Sequence, residues 1–263
     1  MSGQFMTMTG LVSPNPEFDV SDIEQMGREI VGTDEFTIDI IDEGGEDGAP
    51  VVIQCNGFEL ALLLVEKPIP ADALTDAYEE SAVFWPDVPG EFRRHRGHLV
   101  VSLSQELTKA DEFLEAAFTV TVVTAAISEV TESVGTYWAD ADWVTPRKET
   151  LNAAYQACQG EPPVSQWIRK SLRPGRNKTV GVFTCGLLPF VGREIEFPPD
   201  PNFDADTIID RVDSLAKYVI SNGLVVQDND TVGISQEERI RVIYADSKVT
   251  GTPVLRLRLE QQQ

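Results

Sequence analysis

VVIQCNGFELALLLVE, residues 51–66, sets Asn56-Gly57 between two apolar runs. Asn-Gly is the strongest short-range hairpin signal, because both residues tolerate positive φ. The two runs are therefore expected to pair antiparallel. Upstream, FTIDIID (36–42) alternates apolar and acidic residues with the period of a half-buried strand, and EGGEDGAP (43–50) supplies a long polar turn. Downstream, HLVVSLS (98–104) reads as a central strand. These segments predict an α+β fold of largely antiparallel sheet or sheets with packed helices.

Helical spacing interrupts the strands. Ser21 is placed to cap a short helix through Ile23, Met26 and Ile30, and ADALTDAYEESAVF (71–84) carries Leu74, Tyr78 and Val83 at helical intervals. Thr108 and Asp111 suggest a capping box for a helix bearing Phe113, Ala117, Val120, Val123, Ile127 and Val130. Its β-branched stretch TVTVVT (119–124) equally suits a strand. Gly135 is expected to stop that helix, TYWADADWV (136–144) to form a strand or edge segment, and residues 147–158 another helix.

After Pro162 and Pro163 the chain runs TVGVFTCGLLPF, GREIEF, a Pro-rich loop, a helix over 204–221, and the strands TVGIS, RIRVIYAD and PVLRLRLE. This divides the chain into a flexible N-terminal arm (1–20), an N-terminal α+β half (21–160) and a C-terminal α+β half (161–263), the halves expected to pack as one unit. GFELALLLVEKPIPADALTDAY and HLVVSLSQE resemble GREIEFPPDPNFDADTIIDRV and TVGISQE in element order, which raises a duplicated strand–Pro loop–helix–strand unit.

With 263 residues the chain can bury a sizeable core without disulfides. Forty-three acidic against 21 basic side chains give a net charge of -22. Such a surface repels nucleic-acid backbones and anionic lipid and favours basic partners. Cys55, Cys158 and Cys185 are an odd, unpaired set, the pattern of reduced buried thiols in a cytoplasm. The N-terminus has neither the basic start nor the apolar stretch of a signal peptide, and no segment reads as ~20 uninterrupted apolar residues, so neither secretion nor a membrane location is expected.

Several clusters are candidate sites. In RRHRGH (93–98), Arg93, Arg94, His95, Arg96 and His98 concentrate positive charge, an arrangement suited to an anion or, through a histidine, to general base chemistry. The alternative is a solvated loop whose last histidine packs into the following strand. WIRKSLRPGRNK (167–178) adds Arg169, Lys170, Arg173, Arg176 and Lys178, so that the two segments hold eight of the 21 basic residues. Asp140 and Asp142 flanked by Trp138 and Trp143 suit a partner interface, as aromatic anchors among charges do, and suit an ordinary core as well.

Glu194 and Glu196 alternate on one strand face and are further candidates for partner contact. Asp228 and Asp230 begin like a calcium loop, but Val232 occupies the next ligand position, so a turn explains them better. No G-x-S-x-G, P-loop, dinucleotide fingerprint, H-E-x-x-H or C-x-x-C is present, and no cofactor or metal is expected.

Taken in order, HRGHLVVSLS, TESVGTYWADADWV, FTCGLLPFVGREIEF and DNDTVGIS resemble a bacterial family known as domain of unknown function 4261, over about residues 50–259 and most specifically in the last third. The resemblance implies cytoplasmic proteins without an assigned activity, some of them neighbours of secreted toxins, and it transfers no catalytic residue. The leading expectation is a non-enzymatic cytoplasmic binding protein, an immunity protein that neutralises a basic toxin through an acidic surface. The alternatives are an enzyme of unfamiliar type using the His95/His98 loop, and an interaction adaptor docking through TYWADADWV.

Overall fold

Asn56 and Gly57 both take positive φ, 50° and 82°, and turn the chain between strands that pair Cys55 with Phe58 and Val51 with Leu62. The computed structural model describes residues 5–44, 48–233 and 238–260. Parts of the expected arm, of the polar turn after FTIDIID and of TVGIS therefore lie outside the described residues. The chain divides into two compact units, one running to Trp167 and the other starting at Ile168. The boundary falls later than 160/161 because Trp167 is buried against Phe118 and Trp138, ring centroids 5.3 and 5.9 Å away.

The first unit begins with β1 (Met6–Leu11), α1 (Val20–Val31), β2 (Ile38–Asp42), β3 (Val51–Cys55) and β4 (Phe58–Val65). A 3₁₀ turn, α2 (Thr75–Ser81), α3 (Val88–Phe92), β5 (Gly97–Leu103) and α4 (Ala110–Val130) follow. It ends with β6 (Gly135–Trp138), β7 (Trp143–Pro146), α5 (Arg147–Cys158) and α6 (Val164–Trp167). The strands form one antiparallel sheet in the order β2-β3-β4-β5-β1-β6-β7.

The N-terminal segment is not the flexible arm its sequence suggests. Residues 6–11 are an interior strand, registered against β5 on one side and β6 on the other, because MTMTGL supplies a full set of backbone partners and buries Thr7, Thr9 and Leu11 completely. Pro14 and Pro16 lie in the connection after the strand and do not interrupt it. The cap of α1 is Asp19 rather than Ser21. Its carboxylate accepts the Ser21 and Asp22 amides, and Asp22 returns a bond to the Asp19 amide at 2.9 Å.

TVTVVT is helical, inside α4, where packing overrides β-propensity: Val120, Val123, Ala126 and Ile127 are fully buried. Glu112 rather than Asp111 closes the start of α4, accepting the Thr108 and Lys109 amides at 3.1 and 3.2 Å. Of the described helices, α4 alone is long and apolar enough to cross a membrane, and here it is a core helix, mostly buried. Opposite it, Leu74, Tyr78, Val88, Phe92 and Val144 form a second cluster on the other face of the sheet. Val83, expected inside, is 53% exposed.

The second unit contains β8 (Arg169–Pro174), β9 (Val180–Cys185), α7 (Leu188–Val191) and β10 (Glu194–Phe197), then α8 (Ala205–Asn222), β11 (Thr231–Val232), β12 (Ile240–Asp246) and β13 (Pro253–Leu259). The sheet order is β11-β12-β13-β10-β9-β8, antiparallel except that β10 and β13 run parallel. Residues 169–174, read from their charge as a basic segment, are strand β8. α8 lays Ile208, Val212, Leu215, Ala216 and Val219 against the sheet, and the Asp204 carboxylate caps it through the Thr207 amide at 2.8 Å.

The proposed repeat pairs β4 with β10 and β5 with β11, and the sheets do not support that equivalence. β4 and β5 are neighbours, whereas β13 and β12 stand between β10 and β11. A different likeness holds. β1–α1–β2–β3–β4 and β10–α8–β11–β12–β13 are each a strand, a helix and a three-strand meander, with β5 inserted between β4 and β1 in the first sheet.

Candidate binding surfaces

The RRHRGH segment leaves α3 and enters β5, and its five candidates have separate fates. His95 is 5% exposed, with Nε2 accepting the Ile69 amide at 2.7 Å and Nδ1 donating to the Phe92 carbonyl at 2.5 Å. Both ring nitrogens are thus committed to backbone, which fixes a neutral tautomer. Burial accordingly holds its pKa below the ordinary histidine value. His98, also buried, binds the Lys67 carbonyl through Nδ1 at 2.8 Å and is shifted down for the same reason.

Arg93 lies over the Tyr78 ring, 4.9 Å from its centroid, and the exposed Arg94 bonds the Gly90 carbonyl through Nε at 3.4 Å. Exposed Arg96 gives its amide to the Leu11 carbonyl. The histidines are therefore framework pieces that tie the loop after β4 to β5, not convergent groups around an anion. The other basic segment belongs to the second unit, where Lys170 is buried and paired with Asp213 at 3.0 Å.

TYWADADWV becomes the β6–β7 hairpin, turned by a 3₁₀ residue triplet and by Asp142 in the left-handed region at φ 49°. Trp138 and Trp143 are 1% and 0% exposed, so neither indole is offered to a partner. Alternation in a two-strand hairpin sends both inward, where Trp138 meets Phe5 and Trp167 and Trp143 donates Nε1–H to the Ser165 carbonyl at 2.9 Å. Asp142 accepts the Tyr137 hydroxyl at 3.1 Å. Asp140 accepts the Met6 amide at 3.4 Å, and burial pushes its pKa up to about 6.

Glu194 is 2% exposed and so is not offered for the partner contact expected of it. One oxygen receives the Gly186, Leu187 and Leu188 amides at 2.9, 3.0 and 3.2 Å, and the other receives the Thr184 hydroxyl at 2.7 Å. Desolvation raises its pKa, and these four donors pull it back. The carboxylate is an internal cap for the turn into α7. Glu196 pairs with Arg256 on neighbouring β13 at 3.0 Å.

Asp228 and Asp230 build a turn, as their chemistry suggests: Asp228 accepts the Tyr244 amide at 2.8 Å, Asp230 accepts the Gln227 amide at 2.8 Å, and Asn229 takes φ 70°. Two strands separate them from Glu194 and Glu196, so the four acids of this unit do not converge. Among the described residues no group of three or more His, Cys, Asp or Glu could hold a metal. Cys55 is buried, its thiol pushed up to about 12, whereas Cys158, expected to be buried, is exposed at the end of α5.

Sequence reasoning missed two clefts, because a cleft is made by elements distant in sequence. In the second unit a cleft of about 480 Å³ lies between α8 and β11–β12, with Tyr218 and Val225 about half exposed. Arg211, which lines it, is held by both oxygens of Glu238 at 2.9 Å. In the first unit a cleft of about 840 Å³ opens where the apolar face of the sheet runs past the start of α1. Ile40, Leu62, Leu64 and Leu99 line it, with Asp19, Glu43 and Glu66.

The charge is divided along the same boundary. Residues 1–167 carry 30 acidic and 8 basic side chains, and residues 168–263 carry 13 of each. The net charge of -22 thus resides entirely in the first unit.

A family model described as a domain of unknown function, DUF4261, matches residues 183–258. The match spans β9 to β13 and confirms the resemblance in the last third of the chain, while the first unit lies outside it. No curated protein and no solved structure matches the chain.

Proposed function

We propose that this chain is a non-enzymatic binding protein that holds a basic protein partner through its acidic first unit, in the setting of an immunity protein against a secreted bacterial toxin. The observation that carries the reading is the confinement of all 22 net negative charges to residues 1–167, beside a second unit whose charges balance. A field of that sign accelerates encounter with a basic partner by about 10- to 1,000-fold and discriminates against acidic ones.

The groups an enzyme would draw on support the same reading. His95 spends both nitrogens on backbone, and Glu194 is enclosed by four donors. The adaptor alternative loses its anchors with the burial of Trp138 and Trp143.

The test is co-purification with the product of the adjacent gene, together with protection when the two are co-expressed. The expected outcome is a complex at low salt whose association slows as salt rises, since exposed charges are screened beyond about 10 Å at 0.1 M. Absence of both complex and protection would overturn the reading.

A further inference from the structure

We infer that the cleft at the start of α1 is the docking groove for a cationic amphipathic segment of the partner, an inference that rests on the reading of the chain as the holder of a basic protein. Its floor is the free end of a sheet face. Register places Ile53, Leu60 and Val101 on this face under the helices, fully buried, and continues it through Leu62 and Leu64 to Leu99 and Val51. At the edge strand, Ile40 remains 49% exposed. Leu62 and Leu99 are themselves buried and Val51 and Leu64 half-buried, so the floor opens toward the edge strand, and an apolar opening of that kind is what a hydrophobic helix or strand face fills.

The rim decides the chemistry of the occupant. Asp19, Glu43 and Glu66 line this cleft, and among the described residues neither Glu43 nor Glu66 makes an ion pair. A smaller cleft of about 310 Å³ shares Phe18 with it and is lined by Glu17, Asp22 and Glu29. Six acids therefore line the two clefts along α1, and among the described residues no Lys, Arg or His lines either. An acidic or neutral segment would leave these carboxylates desolvated without compensation. Lysines or arginines on one face of a segment, with leucine-like side chains on the other, satisfy rim and floor together.

The probe is a fluorescently labelled Lys/Leu amphipathic peptide of about 15 residues, titrated into the full chain by anisotropy, with oligolysine of equal charge as comparison. The expected result is saturable binding of the amphipathic peptide, at least tenfold tighter than oligolysine. Ile40→Glu and the double change Glu43→Lys/Glu66→Lys should each weaken it at least tenfold. Asp72→Lys/Glu79→Lys, which alters net charge equally on the exposed 3₁₀ turn and α2, should change it less than threefold. Ile40, Glu43 and Glu66 are all exposed, so these variants keep the core intact, and far-UV circular dichroism checks that they do.

Equal binding of both peptides, equal loss in the remote variant, or no binding at low salt would overturn the groove. The two readings fail separately. If the parent captures the basic product of the adjacent gene and the groove variants capture it unchanged, the groove is wrong and the function stands. If the parent captures nothing, the function fails whatever the peptide does.

Discussion

Glu194→Ala tests whether this carboxylate is an internal cap or a surface for partners. Truncation strips the partner from three backbone amides, those of Gly186, Leu187 and Leu188, and from the Thr184 hydroxyl. A buried donor left unsatisfied costs about 1–3 kcal/mol. The Leu188 amide is only partly buried and can reach water, so it contributes least. Removing the carboxylate also removes its desolvation cost, which offsets several kcal/mol of the loss.

The net expectation is a destabilisation of about 3 kcal/mol, a large fraction of a typical folding free energy. Glu194→Gln keeps an oxygen for the three amides, and its NH₂ meets a hydroxyl that can turn to accept, so it should cost about 1 kcal/mol. Burial raises the Glu194 pKa, so the folded state binds this proton more tightly than the unfolded chain. Stability from this group is therefore greatest at acid pH and falls as pH rises through the folded value, and the Gln variant should compare best with the parent above it. Glu196→Ala on the same strand breaks only a partly exposed pair with Arg256 and should cost about 1 kcal/mol at most.

Urea unfolding followed by far-UV circular dichroism gives the free energies, and hydrogen exchange at Gly186, Leu187 and Leu188 reads the cap directly. If Glu194→Ala unfolds with the parent and those amides stay protected, the capping assignment is wrong and a partner-facing role returns.

Three further outcomes follow from the packing. Gly27→Ala should destabilise by about 1–3 kcal/mol despite its better helix propensity, because the new Cβ would stand 2.1 Å from Cε1 of the buried Phe36; a raised melting temperature would contradict it. His95→Ala removes the acceptor of the Ile69 amide and leaves a small cavity, and should cost about 2–4 kcal/mol in urea unfolding, whereas a solvated loop histidine would cost almost nothing. Asp140 has a folded pKa of about 6 against an ordinary 3.8, so its contribution to stability falls as pH rises across that interval. Asp140→Asn should therefore gain on the parent by about 2–3 kcal/mol between pH 4 and pH 7, while parallel pH curves would refute the assignment.

The elements were largely legible because their signals are local. The Asn56-Gly57 turn, the helix over 147–158 and the capped α8 follow from φ preference, periodicity and side-chain capping within a few residues. The first strand was not, since MTMTGL has weak alternation and becomes a strand only by filling the space between β5 and β6. Candidate sites fared worse than elements. Charge and aromatic character look the same in a sequence whether a side chain faces water or a backbone turn, and Glu194, His95, Trp138 and Trp143 each carry chemistry that the core consumes.

An acidic α+β chain with antiparallel strands and no recognisable catalytic motif follows from the residues in order, since net charge, strand period and motif spacing are sums over neighbours. Where that charge resides, and which carboxylates remain at a surface, is set by the folding of distant segments onto one another. Those depend on the chain boundary at 167/168 and on elements brought together from distant positions: Ile40, Leu64 and Asp19 share one cleft, while Glu194 closes on amides across a turn. Burial is a property of the assembled layers, and it converts identical side chains into either a cap or a binding rim.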